Sequence, residues 1–309
     1  MVSTCDSAGV PDTVRETVAL LLVDSRCELG ECPLWCEREQ ALWWIDIESS
    51  RLWRFRSGDG SVRQWRLPDR AGSFALCESG RLLLGLAKGL YMAELAGDEI
   101  GVTPLVEVDA DQPTLRINDG RTDRAGNFVF GTLNEDPQRA RIGSFYQYSN
   151  RHGLRRLDLG GVAIPNSLCF SPDGQRLYYC DSLDRRILRC RYDAEQATVG
   201  SPEVFAELGP NASPDGAVVD RDGKLWSAQW GASRVVGYDH NGKVEHVVGV
   251  PVSHVTCPVF AGKDYGEMFI ASARVELSPE VLQAEICAGG IFKAQVPAKG
   301  LPESRFDDL

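Results

Sequence analysis

Six short segments of this 309-residue chain begin with residues that, brought together, could hold a cation. Glu31 opens ECPLW, Asn118 opens NDGRT, Asn166 opens NSLCF and Asp215 opens DGAVV. Thr256 in TCPVF and Gly72 in GSFAL take the same place, four residues before a shared and mostly apolar position. If these segments are equivalent strands around one axis, two carboxylates, two carboxamides and a hydroxyl face a single channel mouth. Two carboxylates in a partly dry channel repel each other and lose hydration, so they call for a proton or a cation. Glu, Asp and Asn offer hard oxygen donors, which suit calcium, magnesium or manganese better than copper. Taken singly, Asn or Asp at a strand entrance is also an ordinary turn former. Glu31 is not explained in that way.

The elements that would position this ring are legible as a repeat. LWWIDIESSRLWRF, RLLLGLAKGLYMAEL, NFVFGTLNEDPQRARIGSFYQY, RLYYCDSLDRRILRCRYD, KLWSAQWGASRVVGYD and EMFIASARVELS with GGIFKAQV follow one another along the chain. Each pairs two strand-like runs, and turns such as SPDG (171–174) and DRDG (220–223) precede several of them. Asp-Gly supplies the positive φ of a tight connection, and the runs are too short and too interrupted for helices. Six units of about four strands predict an all-β, six-bladed β-propeller, one domain over residues 16–309 behind a tail at 1–15. VALLLVD (18–24) is placed to add the strand that closes the ring.

Four motifs in this order, LGECPLW (29–35), RINDGRTDRAGNFVFGT (116–132), IPNSLCFSPDG (164–174) and SPDGAVVD (213–220), resemble the gluconolactonase, senescence-marker-protein and regucalcin family. The resemblance covers about residues 16–296 and implies a six-bladed fold, sugar lactonase activity and one divalent ion at the channel mouth. It makes Glu31, Asn166 and Asp215 direct ligands and puts Asn118 at the ion or its water. Calcium is the first expectation, with zinc, manganese, magnesium or iron as alternatives. Arg116 and Asn118 are expected on substrate oxygens, and Asp215 is the expected general base. Glu135 or Asp136 falls where a substrate-side carboxylate belongs. PQRARIGSF (137–145) is placed to overhang the mouth. Cys32 departs from the motif, which has Gly after the Glu, and is read as a packing substitution.

A lactone is an activated cyclic ester, and the expected reaction is its hydrolysis to the aldonic acid. The substrate would be gluconolactone, another hexonolactone or a pentonolactone. No GxSxG elbow is present, which argues against a serine triad. A non-catalytic calcium-binding propeller, or another ester or organophosphate hydrolase on the same site, are the alternatives. With 33 basic against 44 acidic residues the net charge is −11, opposing nucleic acid and anionic membranes as partners. The longest aliphatic run is far short of a membrane span, and the start of the chain does not read as a signal peptide. Ten cysteines without a CxxC pair fit free thiols in a reducing cytoplasm, and the acidic surface fits a monomer.

Overall fold

A computed structural model describes residues 14–309 of the chain, which form six largely antiparallel sheets arranged as a six-bladed propeller. In each blade the first strand lies nearest the axis: Gly30–Cys36, Ala71–Leu76, Leu115–Thr122, Pro165–Phe170, Ser213–Val219 and Val255–Ala261. Each of these packs against the first strands of its two neighbours, and blade six meets blade one through Thr256, whose hydroxyl donates to the Gly30 carbonyl at 2.6 Å. Burial follows the distance from the axis. The second strands, such as Ala41–Asp46 and Phe128–Asn134, are buried throughout and read as continuous apolar runs, whereas outer strands such as Val62–Arg66 are mostly exposed.

The core is divided in the same way. Six apolar clusters lie between successive blades, including Trp43 and Phe74 between blades one and two and Trp35 and Phe269 between six and one. A blade is therefore sandwiched on both faces, and no sheet depends on solvent to cover it.

The ring is closed from the N-terminal side. Leu20–Val23 pairs antiparallel with Ile291–Gln295 and becomes the outer strand of blade six, as VALLLVD suggested. Just before it, Arg15–Val18 runs parallel to Val244–Gly249 and adds a fifth strand to blade five. The tail expected over residues 1–15 lies outside the described residues as far as residue 13, and Arg15 already belongs to a strand. One short helix, Pro279–Ala284, interrupts blade six; Ser278 caps it by accepting from the Val281 amide. Among the described residues no helix is long and apolar enough to cross a membrane. Nine described cysteines are free, and all but Cys287 are buried.

Every innermost strand carries one irregularity in its ladder, at Glu31/Leu34, Ala71/Ser73, Ile117/Gly120, Asn166/Cys169, Pro214/Ala217 and Val255/Pro258. In each, the inner strand uses one residue more than its partner, which is a β-bulge. A bulge breaks the in–out alternation and re-aims a side chain, here at the same level in all six blades.

Candidate active site

The bulges bring the predicted ring residues together. Glu31, Asn118, Asn166 and Asp215 line one cavity of about 300 Å³, with Arg116, Glu135, Arg139, Ser182 and Trp230 among the other lining residues. Asn118, Asn166 and Asp215 are each at least nine-tenths buried. The other two ring positions serve the frame. Gly72 lets blade three approach, since a Cβ there would overlap the Ile117 carbonyl next to Asn118. Thr256 ties blade six to blade one. Cys32 sits at φ 49°, in the left-handed region that explains why glycine suits this place. Its thiol is buried, 3.7 Å from the Phe74 carbonyl and 4.0 Å from that of Gly120.

A hydrogen-bond chain fixes these groups across blades three, four and five. Arg116 Nη1 donates to Asn118 Oδ1 at 2.7 Å. Asn118 Nδ2 donates to the Pro165 carbonyl at 2.9 Å and to Asn166 Oδ1 at 3.3 Å. Asn166 Nδ2 reaches Ser182 Oγ at 2.9 Å, and that hydroxyl donates to the Pro214 carbonyl at 2.7 Å. Ser167 Oγ donates to the Asp215 carbonyl at 2.5 Å. Both carboxamides are thus oriented by their neighbours, with Asn166 Oδ1 facing the blade-three side of the cavity.

The charge balance of the floor is negative. Glu31 and Asp215 lie within hydrogen-bonding reach of each other, and both carboxyls are pushed well above the usual carboxylate range, Glu31 by burial and then the charge of Asp119, Asp215 by burial and then the charges of Glu31 and Asp119. Asp119 follows Asn118 in the same bulge; it accepts from the Leu168 amide at 2.8 Å, and burial pushes it up to about 6. Arg121, the buried cation that acts on Asp119, is already paired with Glu303 at 3.0 Å. Buried carboxyls that hold a proton at neutral pH for want of a counter-charge are a cation site by chemistry. Among the described residues no three His, Cys, Asp or Glu side chains cluster as a metal site. The donor set is two carboxylates completed by carboxamide oxygens, hard throughout, and it fits a calcium-like ion.

Arg116 and Glu135 form the upper wall. Arg116 Nε donates to Glu135 Oε1 at 3.2 Å, and Arg70 clamps both oxygens of the same carboxylate at 2.7 and 2.8 Å. Partial burial opposes the charge of Glu135, but the two guanidinium groups outweigh it and hold the carboxyl below its ordinary range. Of the expected acidic pair, Glu135 lines the cavity. Asp136 does not; it caps its own loop by accepting from the Gln138 amide at 2.8 Å. The 137–145 segment borders the mouth: Arg139 lines the cavity and Arg141 pairs with Asp184 at 2.8 and 2.5 Å. No histidine lines the cavity among the described residues.

Sequence reasoning missed Arg70, Asp119, Ser182 and Trp230. Asp119 was within reach, because it stands beside Asn118 in a strand whose alternation fails there. Trp230 ends the second strand of blade five, and aligning second strands as well as first would have marked it. Arg70 lies in a connection between blades and carries no repeat signal.

Residues 29–274 match the SMP-30/Gluconolactonase/LRE-like region family. The chain is 43% identical to L-arabinolactonase of Azospirillum brasilense, over 93% of this chain and 95% of the relative. It is 34% identical to 6-deoxy-6-sulfogluconolactonase of Pseudomonas putida, over 90% and 94%. Its fold is similar to the crystal structure of regucalcin, a calcium-binding protein of Agrobacterium tumefaciens, with TM-score 0.88 and 29% identity over 95% of this chain and 99% of the other.

Proposed function

The chain belongs to the SMP-30/Gluconolactonase/LRE-like family and is a sugar lactonase, and within that class we propose that it opens a pentonolactone, L-arabinolactone first, to the aldonic acid. The observation that carries the reading is the convergence of Glu31, Asn166 and Asp215 under Arg116 and Asn118 in one small cavity. About 300 Å³ is the lower end of the range for small-molecule sites, which fits one sugar ring and not an oligosaccharide. Full-length alignment to an L-arabinolactonase supports the five-carbon choice.

In this reading Glu31, Asn166 and Asp215 hold one divalent ion. When bound, that ion supplies Lewis acidity at the lactone carbonyl and the positive charge the floor lacks. The chain's own residues do the rest. Arg116 and Asn118 hold substrate oxygens and stabilise the charge that develops on the carbonyl oxygen. Glu135, neutralised by Arg70 and Arg116, accepts from a ring hydroxyl. Asp215 has two oxygens, one for the ion and one for a proton. It takes a proton from the attacking water as the water oxygen bonds to the carbonyl carbon. That proton then passes to the ring oxygen as the carbon–oxygen bond breaks, and a hydroxy acid leaves.

The reading is tested by steady-state hydrolysis, corrected for spontaneous opening, of L-arabinolactone, xylonolactone, galactonolactone and gluconolactone. The expected result is a kcat/KM at least tenfold higher for L-arabinolactone than for either hexonolactone. A hexonolactone preference would overturn the five-carbon choice.

A further inference from the structure

One wall of the cavity carries an aromatic ring with its own support. Trp230 is half-buried, and its indole lies against the His254 imidazole with centroids 3.9 Å apart and planes inclined by 19°. Strand pairing sets Trp230 opposite Ser213, two residues before Asp215. His254 stands two residues before Thr256 in blade six, and its Nδ1 lies 3.0 Å from the carbonyl of Val275, which also lines the cavity. Among the described lining residues Trp230 is the only aromatic one, and its indole N–H has no hydrogen-bond partner among the described residues.

The ring order of the blades gives this pair its direction. In a six-membered ring blade six stands opposite blade three, with blade five beside it. Trp230 lines the mouth from blade five, one blade removed from Arg116, Asn118 and Glu135 of blade three, and His254 backs it from blade six. One wall offers charged and amide groups; the other offers a flat apolar face. A sugar lactone is built to match, with hydroxyls and the ester carbonyl on its edges and C–H bonds on its face. An indole covers such a face with large contact area and little rotamer freedom to lose.

We propose that Trp230, held in place by His254 as a positioning residue, is the platform on which the C–H face of the lactone ring stacks. The platform rests on the lactonase reading. It touches the ring in the ground state and in the transition state alike, so its loss acts on KM more than on kcat.

Kinetics on L-arabinolactone with full-length, ion-loaded protein test it, each variant being checked by thermal melting. Trp230→Leu is expected to raise KM about tenfold with kcat within about threefold, and Trp230→Phe to stay within about threefold of the parent in both. His254→Ala is expected to raise KM several-fold, again with little change in kcat. Turnover by the parent protein together with an unchanged KM in folded Trp230→Leu overturns the platform and leaves the lactonase reading standing. A parent protein that turns over no lactone overturns both. If Trp230→Leu does not fold, the indole N–H resonance that disappears in Trp230→Phe decides the matter. It must shift when L-arabinonate is added to the parent protein, and an unmoved resonance contradicts the proposal.

Discussion

The acidic floor of the cavity fixes how the stability of this protein responds to pH. Without an ion Glu31 is pushed up to about 8, chiefly by burial and then by the charge of Asp119, and Asp215 moves in the same direction. In the unfolded chain both groups ionise near 4. Between those values the folded chain carries protons that the unfolded chain has released, so stability without an ion falls as pH rises from about 4 to about 8. Glu31→Gln removes one of the groups responsible. Chelator-treated Glu31→Gln is expected to melt several degrees above the equally treated parent protein at pH 8, a gap that closes toward pH 5, while with a divalent ion supplied to both its lactone turnover is about 10²-fold or more below that of the parent. Melting below the parent at pH 8 would show that this carboxylate is not an uncompensated charge.

At the scale of elements, the six bulges convert a repeat into a site. Regular strands would alternate, sending neighbouring side chains to opposite faces; one extra residue per inner strand turns Glu31, Asn118, Asn166 and Asp215 to the same mouth. Gly216 shows how tight this is, because a Cβ there would overlap Cys257 of blade six. Gly216→Ala is expected to destabilise the fold by about 1–3 kcal/mol and to lower kcat through displacement of Asp215, measured by denaturant unfolding and lactone kinetics. An unchanged kcat would mean that the bulge does not set the position of Asp215. The ring was readable before any coordinates because each member sits at a fixed offset in a repeated strand. The upper wall was less so: the choice between Glu135 and Asp136 depends on where a strand ends and its loop begins, and sequence places such boundaries poorly. Asp136 turned out to cap that loop. Arg70 and His254 act through neighbours from other blades, and such contacts leave no mark in local spacing.

The whole molecule keeps its two ends for different work. The site sits where the inner strands begin; the C-terminal segment crosses the other face, where they end. Glu303 pairs with Arg121, Arg305 with Glu37 at 3.2 Å, and Asp308 with Arg81 at 2.8 Å, while Phe306 is fully buried between blades two and three and bridges to Cys77. Phe306→Ala is expected to cost about 3–5 kcal/mol of stability and to leave KM for lactone near its original value, because it loosens the base and not the mouth. A raised KM with unchanged stability would reverse that assignment. The proposed division of labour, an ion-dependent hydrolytic mouth on a rigid frame, is addressed directly by one experiment. Chelator-stripped protein is assayed on L-arabinolactone, with calcium, magnesium, manganese, zinc and iron(II) restored one at a time and Asp215→Asn carried in parallel. Turnover should vanish on stripping, return with at least one divalent ion in the parent protein, and remain at least about 10²-fold lower in Asp215→Asn. Full turnover in stripped protein, or a folded, ion-binding protein that hydrolyses no lactone, would contradict the account.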